Sequence, residues 1–337
     1  MPESGRCRRC GKRPATEVFI VNTFKASIEI PVCRECYLNY EPKVTPQGLR
    51  WVKRRRFNHI YYIIWMVESR RLAELVGKLG RGVLGRVSKL LSPIGLIPFF
   101  AAIALIAYSA VDRLIRPEYY ISIAKLYAKL PLGYLTIGIP GIDPALPLFK
   151  SWLAFFIAFT VHELAHALVS TYDLGRPPRA IGLALMLGIP IGAYVKIDVA
   201  SSDKRAWRML AVGTASNIVV AVLALALFAS AGMPSQYFDT PAALLFPPEF
   251  LRLRGIFIHL DWLKSILFYI WLVNVWLAFG NSIPLFVTDG HHLLTCLLSR
   301  FMSEDKAFKV SMNTSLAFTS IIVVIMVFER IIVPLLG

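Results

Sequence analysis

Long apolar runs separated by short polar segments dominate this 337-residue chain. A run of about 18 or more apolar residues is long enough to cross a bilayer as a helix. On that measure spans are predicted at about 93–111, 149–172, 206–232, 263–298 and 314–336. The fourth is too long for one crossing and is broken internally at Asn281 and Pro284. Between the second and third spans, residues 180–198 are apolar but interrupted by Gly188, Pro190 and Gly192. That pattern suits a hairpin of strands better than a helix; a poorly formed sixth span is the competing reading. Backbone that leaves helical pairing at membrane depth must be shielded by protein or line a wet cavity. The predicted class is an all-α polytopic membrane protein with about five to six transmembrane helices and a membrane-associated β-hairpin.

Before residue 93 the pattern changes. Two short β-prone runs, TEVFIVN and SIEIPV, lie between two Cys-x-x-Cys pairs, Cys7/Cys10 and Cys33/Cys36, which are separated by 22 residues. Four thiolates around a tetrahedral zinc ion would hold such a hairpin together, since so short a segment has little core of its own. Residues 1–38 therefore read as a small zinc-ribbon-like domain with one structural zinc, against the alternative of four unliganded thiols. Residues 39–92 are basic and amphipathic, and either lie in the membrane interface against anionic lipid or form a basic helical linker. The transmembrane domain follows at 93–337, with its core at about 150–298.

Composition sharpens this picture. Hydrophobic residues make up 56% of the chain and charged ones 17%, too apolar for an ordinary soluble protein. The net charge is +16, and residues 1–92 hold 19 Lys/Arg against 7 Asp/Glu. The opening stretch lacks the apolar core of a secretory signal. A basic untranslocated N-terminal region is placed in the cytosol by the positive-inside rule. The same charge admits nucleic acid as a further partner. Paired Cys-x-x-Cys knuckles on the cytosolic side hold zinc more often than disulfides.

Three ionisable residues interrupt the second span, in VHELAH. On a helix His162 and His166 stand one turn apart on one face, so both imidazoles can reach one metal. Glu163 is turned about 100° from His162, close enough to act on a water at that metal without binding it. Zinc at a catalytic site needs a third protein ligand and one open position. Most acidic residues after His166 fall in predicted loops. Asp289 instead follows the broken span directly, in NSIPLFVTDGHHLL, and is the best-placed third ligand. His291 and His292 are adjacent, so they diverge on a helix and cannot both bind one zinc; they read as residues beside the site or at the interface.

HELAH in a membrane span, followed by Asn281, Pro284, Asp289 and Gly290 in the pattern Asn-x-x-Pro-x-x-x-x-Asp-Gly, resembles the site-2 protease family of intramembrane zinc metalloproteases. LAVGTASNIVVAV resembles that family's Gly-x-x-x-Asn helix, here Gly213 and Asn217. Pro190-Ile-Gly-Ala-Tyr-Val195 is similar to the Pro-Gly-Ala-Phe-Val segment of its eukaryotic-type branch, with an inserted Ile and Tyr for Phe. The resemblance covers roughly residues 150–298 and includes no PDZ insert between Gly232 and Leu263. It implies zinc bound by His162, His166 and Asp289, with Glu163 as general base and then acid. It makes Asn217 and Asn281 candidates to hold substrate backbone or oxyanion, the alternative being amides that pack helices. It also implies a single-span membrane protein as substrate, cut within the bilayer.

The competing reading is a catalytically silent, membrane-anchored zinc-ribbon regulator that binds nucleic acid or protein. A metal transporter is disfavoured because the polar residues gather in two spans without a repeat. A prokaryotic plasma membrane is the expected location. Oligomeric state is not legible.

Overall fold

The computed structural model describes residues 5–22, 27–45, 48–53, 57–60, 64–128, 141, 146–186, 189–199, 203–235, 237, 259–286 and 288–333. The turn of the 180–198 hairpin, including Gly188, the segment 238–258 where no PDZ insert is expected, and the end of the last expected span lie outside the described residues. Among the described residues five helices are long and apolar enough to cross a membrane: Val83–Ile115, Leu148–Asp173, Ala206–Ser230, Trp262–Ser282 and Glu304–Val327. The chain is a polytopic, mostly helical membrane protein with small antiparallel sheets. Two compact units divide it, Met1–Leu90 with Glu163–Val212 and His292–Ser311, and Leu91–His162 with Gly213–His291 and Met312–Gly337.

In the first unit the ribbon forms as its pattern predicts. Strands β1 (Glu17–Asn22) and β2 (Ser27–Val32) pair antiparallel, with Phe19 opposite Ile30. Phe19, Ile30 and Val32 pack around Cys7, Cys33 and Cys36, and helix α1 (Arg34–Asn39) starts on the second cysteine pair.

Within 40–69, expected as part of a basic amphipathic linker, the described residues form strands instead. β3 (Tyr40–Thr45) and β4 (Gly48–Lys53) form a hairpin. β5 (Phe57–Ile60) and β6 (Ile64–Ser69) join β7 (Ala180–Met186) and β8 (Ile189–Lys196) in one antiparallel sheet of order β5-β6-β7-β8. The expected hairpin is thus half of a four-stranded sheet, with β8 at its edge. Gly182 leaves room for the Tyr194 ring opposite, whose Cζ would lie 2.4 Å from a Cβ at that position. The basic helical stretch begins only at Arg70, with α2 (Arg70–Gly80), capped by the Ser69 hydroxyl, and α3 (Val83–Leu91). α2 sets Ala73 and Val76 against Ala167 and Ile181. It leaves Leu72, Leu75 and Leu79 exposed, as a helix at a lipid interface would.

The ribbon and the root of the β7–β8 hairpin are joined by charge. Tyr37 donates to Asp198 at 2.7 Å, the Arg179 guanidinium lies 5.0 Å over the Phe19 ring, and Lys196 bridges Glu41 at 3.1 Å and Glu68 at 2.7 Å.

The second unit is helical: α4 (Leu96–Ile115), α5 (Pro117–Ala128), the first part of α6 (Leu148–Asp173), the later part of α7 (Ala206–Ser230), α8 (Trp262–Ser282), the start of α9 (Asp289–Leu298) and most of α10 (Glu304–Val327). Helix α5 was not visible in the hydropathy pattern. Two apolar clusters hold the unit, one around Phe228, Tyr237, Phe268 and Leu272, the other around Ala154, Ala158, Tyr269 and Val273.

The broken fourth span resolves into α8 and α9. Asp261 caps α8 by accepting from the Lys264 amide at 2.8 Å. At the other end Pro284 disfavours helical backbone in the residue before it, and Ile283 is extended at φ −65°, ψ 130°. Helix α8 therefore stops at Ser282. The Thr288 hydroxyl braces the break, donating to the Ile283 carbonyl at 2.5 Å and accepting from the Leu285 amide at 3.2 Å. A Cβ on Gly290 would stand 2.3 Å from the Ser282 carbonyl oxygen, so only glycine lets the Asp-Gly step come this close to the end of α8.

Candidate metal centre

α6 is apolar along most of its length, with Ala154, Ala158, Ala165 and Ala167 buried and allowing close helix approach. His162 and His166 interrupt it at 2% and 7% exposure, a placement that demands partners. The His162 Nδ1 lies 2.6 Å from Asn217 Oδ1, and its Nε2 lies 2.8 Å from Asp289 Oδ2. Asn281 brings its Nδ2 to 3.2 Å from the same Nε2. One turn along α6, the His166 Nδ1 donates to the Met209 carbonyl at 2.5 Å. Both imidazoles are thus held through Nδ1, and Nε2 is the nitrogen that His162 turns toward Asp289. The ligand atoms of His162, His166 and Asp289 all lie within 4.8 Å of one another.

This donor set, two imidazoles and a carboxylate with each Nδ1 held by a protein oxygen, fits zinc and the hydrogen-bonded histidines that zinc sites employ. Glu163 is half-buried, one residue along the same helix. Of the other acidic candidates, Asp173 pairs with Lys89 and Arg208 and Asp198 with Tyr37 and Arg179, while Asp239 and Glu249 lie outside the described residues. His291 is buried and its Nδ1 lies 2.8 Å from the Ser315 hydroxyl, whereas His292 is exposed.

Asn217 is wholly buried, with both ends of its amide engaged: Oδ1 by His162, and Nδ2 by the Ala158 carbonyl at 3.0 Å and Asn274 Oδ1 at 2.8 Å. Asn274 escaped the sequence reading. Its signal was present, a lone amide in the apolar run between Trp271 and Phe279, but no motif marks it.

A second cluster sits in the ribbon. The four sulfurs of Cys7, Cys10, Cys33 and Cys36 lie within 4.8 Å of one another, and all four thiols are free. The backbone amide of Gly11 donates to the Cys7 carbonyl, and that of Tyr37 to the Cys33 carbonyl, each closing a knuckle. Burial opposes ionisation of Cys7, but the backbone amides of Cys10, Cys33 and Arg9 outweigh it and hold the thiol down at about 6. Burial pushes the Cys36 thiol up to about 12, against the pull of the Arg9 guanidinium. Four sulfurs this close are compatible with the zinc of a ribbon.

An apolar span that buries two histidines within 4.8 Å of a half-buried aspartate forms a candidate metal centre in a membrane protein. The family model for peptidase family M50 matches residues 151–324, just over half of the chain, and covers every residue of that centre. The chain belongs to peptidase family M50, the family of the site-2 proteases, whose members are zinc metallopeptidases. No curated protein and no solved structure matches it.

Proposed function

We propose that this protein hydrolyses peptide bonds within the transmembrane helix of a single-span membrane protein. The observation that carries the reading is the His162–His166–Asp289 donor set, whose two histidines stand on a helix apolar enough to span the bilayer. Those three residues would hold the zinc, which when bound supplies Lewis acidity to water and to the scissile carbonyl. Glu163, beside His162 but turned away from its face, takes the proton of the attacking water and returns it to the departing amine. Asn281 offers an amide N–H next to His162 Nε2, where it can donate to the oxygen on which negative charge develops. Asp289 Oδ2 is aimed at the same imidazole nitrogen, so the carboxylate and the amide converge on one point.

A transmembrane substrate must lose helical pairing before its carbonyls can be attacked. The β8 edge of the four-stranded sheet provides a partner for the extended segment by strand addition. We place the N-terminal region in the cytosol from its surplus of basic residues. The four cysteines we assign to one structural zinc in a ribbon of residues 1–38, followed by a membrane-associated segment at 39–92 and the protease domain at 93–337.

Wild type and Glu163→Gln, purified in detergent, are compared for zinc content and for cleavage of a reporter carrying a glycine-containing transmembrane helix. Equal zinc with at least a hundredfold slower cleavage by the variant is expected, since a positioned general base contributes about 10²–10⁴ in rate. Equal cleavage by both overturns the role of Glu163, and zinc bound at the cysteines alone overturns the metal centre.

A further inference from the structure

We infer that Asn274 is a positioning residue for the metal centre: through Asn217 it fixes which nitrogen of His162 faces the metal. The inference rests on the reading of His162 as a metal ligand. Its basis is a chain of donors and acceptors with one consistent assignment. Asn274 donates through Nδ2 to the Ile270 carbonyl at 2.7 Å, four residues back on α8. A backbone carbonyl accepts only, so the amide must present its NH₂ there and its Oδ1 to the other side. That Oδ1 accepts from Asn217 Nδ2 at 2.8 Å, whose second hydrogen goes to the Ala158 carbonyl at 3.0 Å. The Asn217 NH₂ is thereby held on two oxygens, and Asn217 Oδ1 is turned to His162 Nδ1 at 2.6 Å as an acceptor. His162 must then carry a proton on Nδ1, which leaves Nε2, the nitrogen that faces Asp289, as its metal-binding atom.

The alternative orientation is expensive. Turning Asn274 over would put its oxygen against the Ile270 carbonyl and its NH₂ against that of Asn217. Asn274 and Asn217 are both 0% exposed, so no water relieves the mismatch. The Ile270 carbonyl on α8 therefore acts through two amides on one imidazole. Asn217 in this arrangement orients a ligand rather than meeting substrate.

The test uses the full chain with Asn274→Leu, Asn274→Asp and Val273→Ala, the last a buried neighbour on α8 outside the chain of bonds. A buried aspartic acid stays protonated at neutral pH, and its C=O and O–H reproduce the acceptor and donor of the amide. Cobalt(II) loading separates the two sites, because only the four-thiolate ribbon gives sulfur charge-transfer absorption. Metal affinity of the nitrogen–oxygen site is read by zinc competition against bound cobalt, alongside kcat and KM on the reporter. The expected result for Asn274→Leu is affinity weakened by about tenfold or more, with ribbon bands unchanged, kcat reduced and KM preserved. Asn274→Asp restores affinity to within about twofold, and Val273→Ala, although less stable, binds metal as wild type does. Wild-type affinity in Asn274→Leu overturns the inference. So does a loss in Asn274→Asp equal to that in Asn274→Leu, or an equal loss in Val273→Ala. The affinity measurement decides even if no reporter is cleaved, so failure of the protease reading is distinguishable from failure of this one.

Discussion

Gly290→Ala tests whether the Asp-Gly step sets the position of the third metal ligand. Gly290 does not adopt a positive φ, so the substitution adds a methyl group without forcing a strained backbone. That methyl would begin 2.3 Å from the Ser282 carbonyl oxygen and 2.6 Å from that of Ile283. A carbon–oxygen contact settles at about 3.3 Å, so the chain must yield by about 1 Å. Both obstacles are backbone. Ser282 closes α8, its hydroxyl donating to the Ala278 carbonyl, and the Ile283 carbonyl is held by Thr288. The movement therefore falls on Asp289, the residue next to Gly290, and takes Oδ2 out of its 2.8 Å relation to His162 Nε2. Misplacement of about 1 Å at a reacting centre costs about a hundredfold in rate, or about 2.7 kcal/mol of transition-state stabilisation. Overpacking adds about 1–3 kcal/mol of lost stability. The assay is reporter cleavage with metal affinity and thermal unfolding measured on the same preparations. Gly280→Ala is the control: it lies exposed near the end of α8 with nothing within 4 Å of a new Cβ. It is expected to cut as wild type does and to gain up to about 1 kcal/mol of stability. Gly290→Ala with wild-type metal affinity and cleavage within threefold would refute the reasoning.

Tyr37→Phe removes the 2.7 Å bond to Asp198 that ties the ribbon to the hairpin root. Losing a hydrogen bond to a carboxylate costs about 1–2 kcal/mol. Amide exchange in β8 should accelerate roughly 5- to 30-fold; unchanged exchange there would show that the ribbon does not support the strand. The ribbon's thiols predict an unusual pH profile once the protein is chelated. Cys7 titrates at about 6 in the fold against an ordinary value of 9.0, so its contribution is full above 9.0 and disappears as pH falls toward 6. Cys36, pushed to about 12, works in the opposite sense, and stability declines as pH rises beyond 9.0. Proteolytic protection of the chelated ribbon should therefore peak near pH 9.0, and a monotonic profile would contradict it.

The positions of the spans, the strands between the cysteine pairs and the members of the two clusters that could hold a metal were legible because each depends on spacing along a few residues. Apolar length announces a span, His-Glu-x-x-His places two imidazoles on one helical face, and paired Cys-x-x-Cys marks a knuckle. The end of the fourth span was readable from Pro284, though not its placement at Ser282. Residues 40–69 misled because basic charge and aromatic residues mask a strand pattern. β6 also acquires its second partner more than a hundred residues later, at β7, so nothing local announces that the β5–β6 pair extends into a four-stranded sheet.

By itself, then, the sequence determined that this chain spans a membrane, that His162 and His166 share one helix face, and that four cysteines can meet in a hairpin. Only the tertiary structure decided that β8 is an edge of a four-stranded sheet, that Asp289 reaches His162, and that Asn274 bonds Asn217. The physical reason is range. Helical periodicity and turn chemistry act over one or two turns of chain, whereas strand partners and buried hydrogen bonds are chosen among residues brought together by packing. A lone asparagine in an apolar run carries no sign of its partner until the helices that bury it are in place.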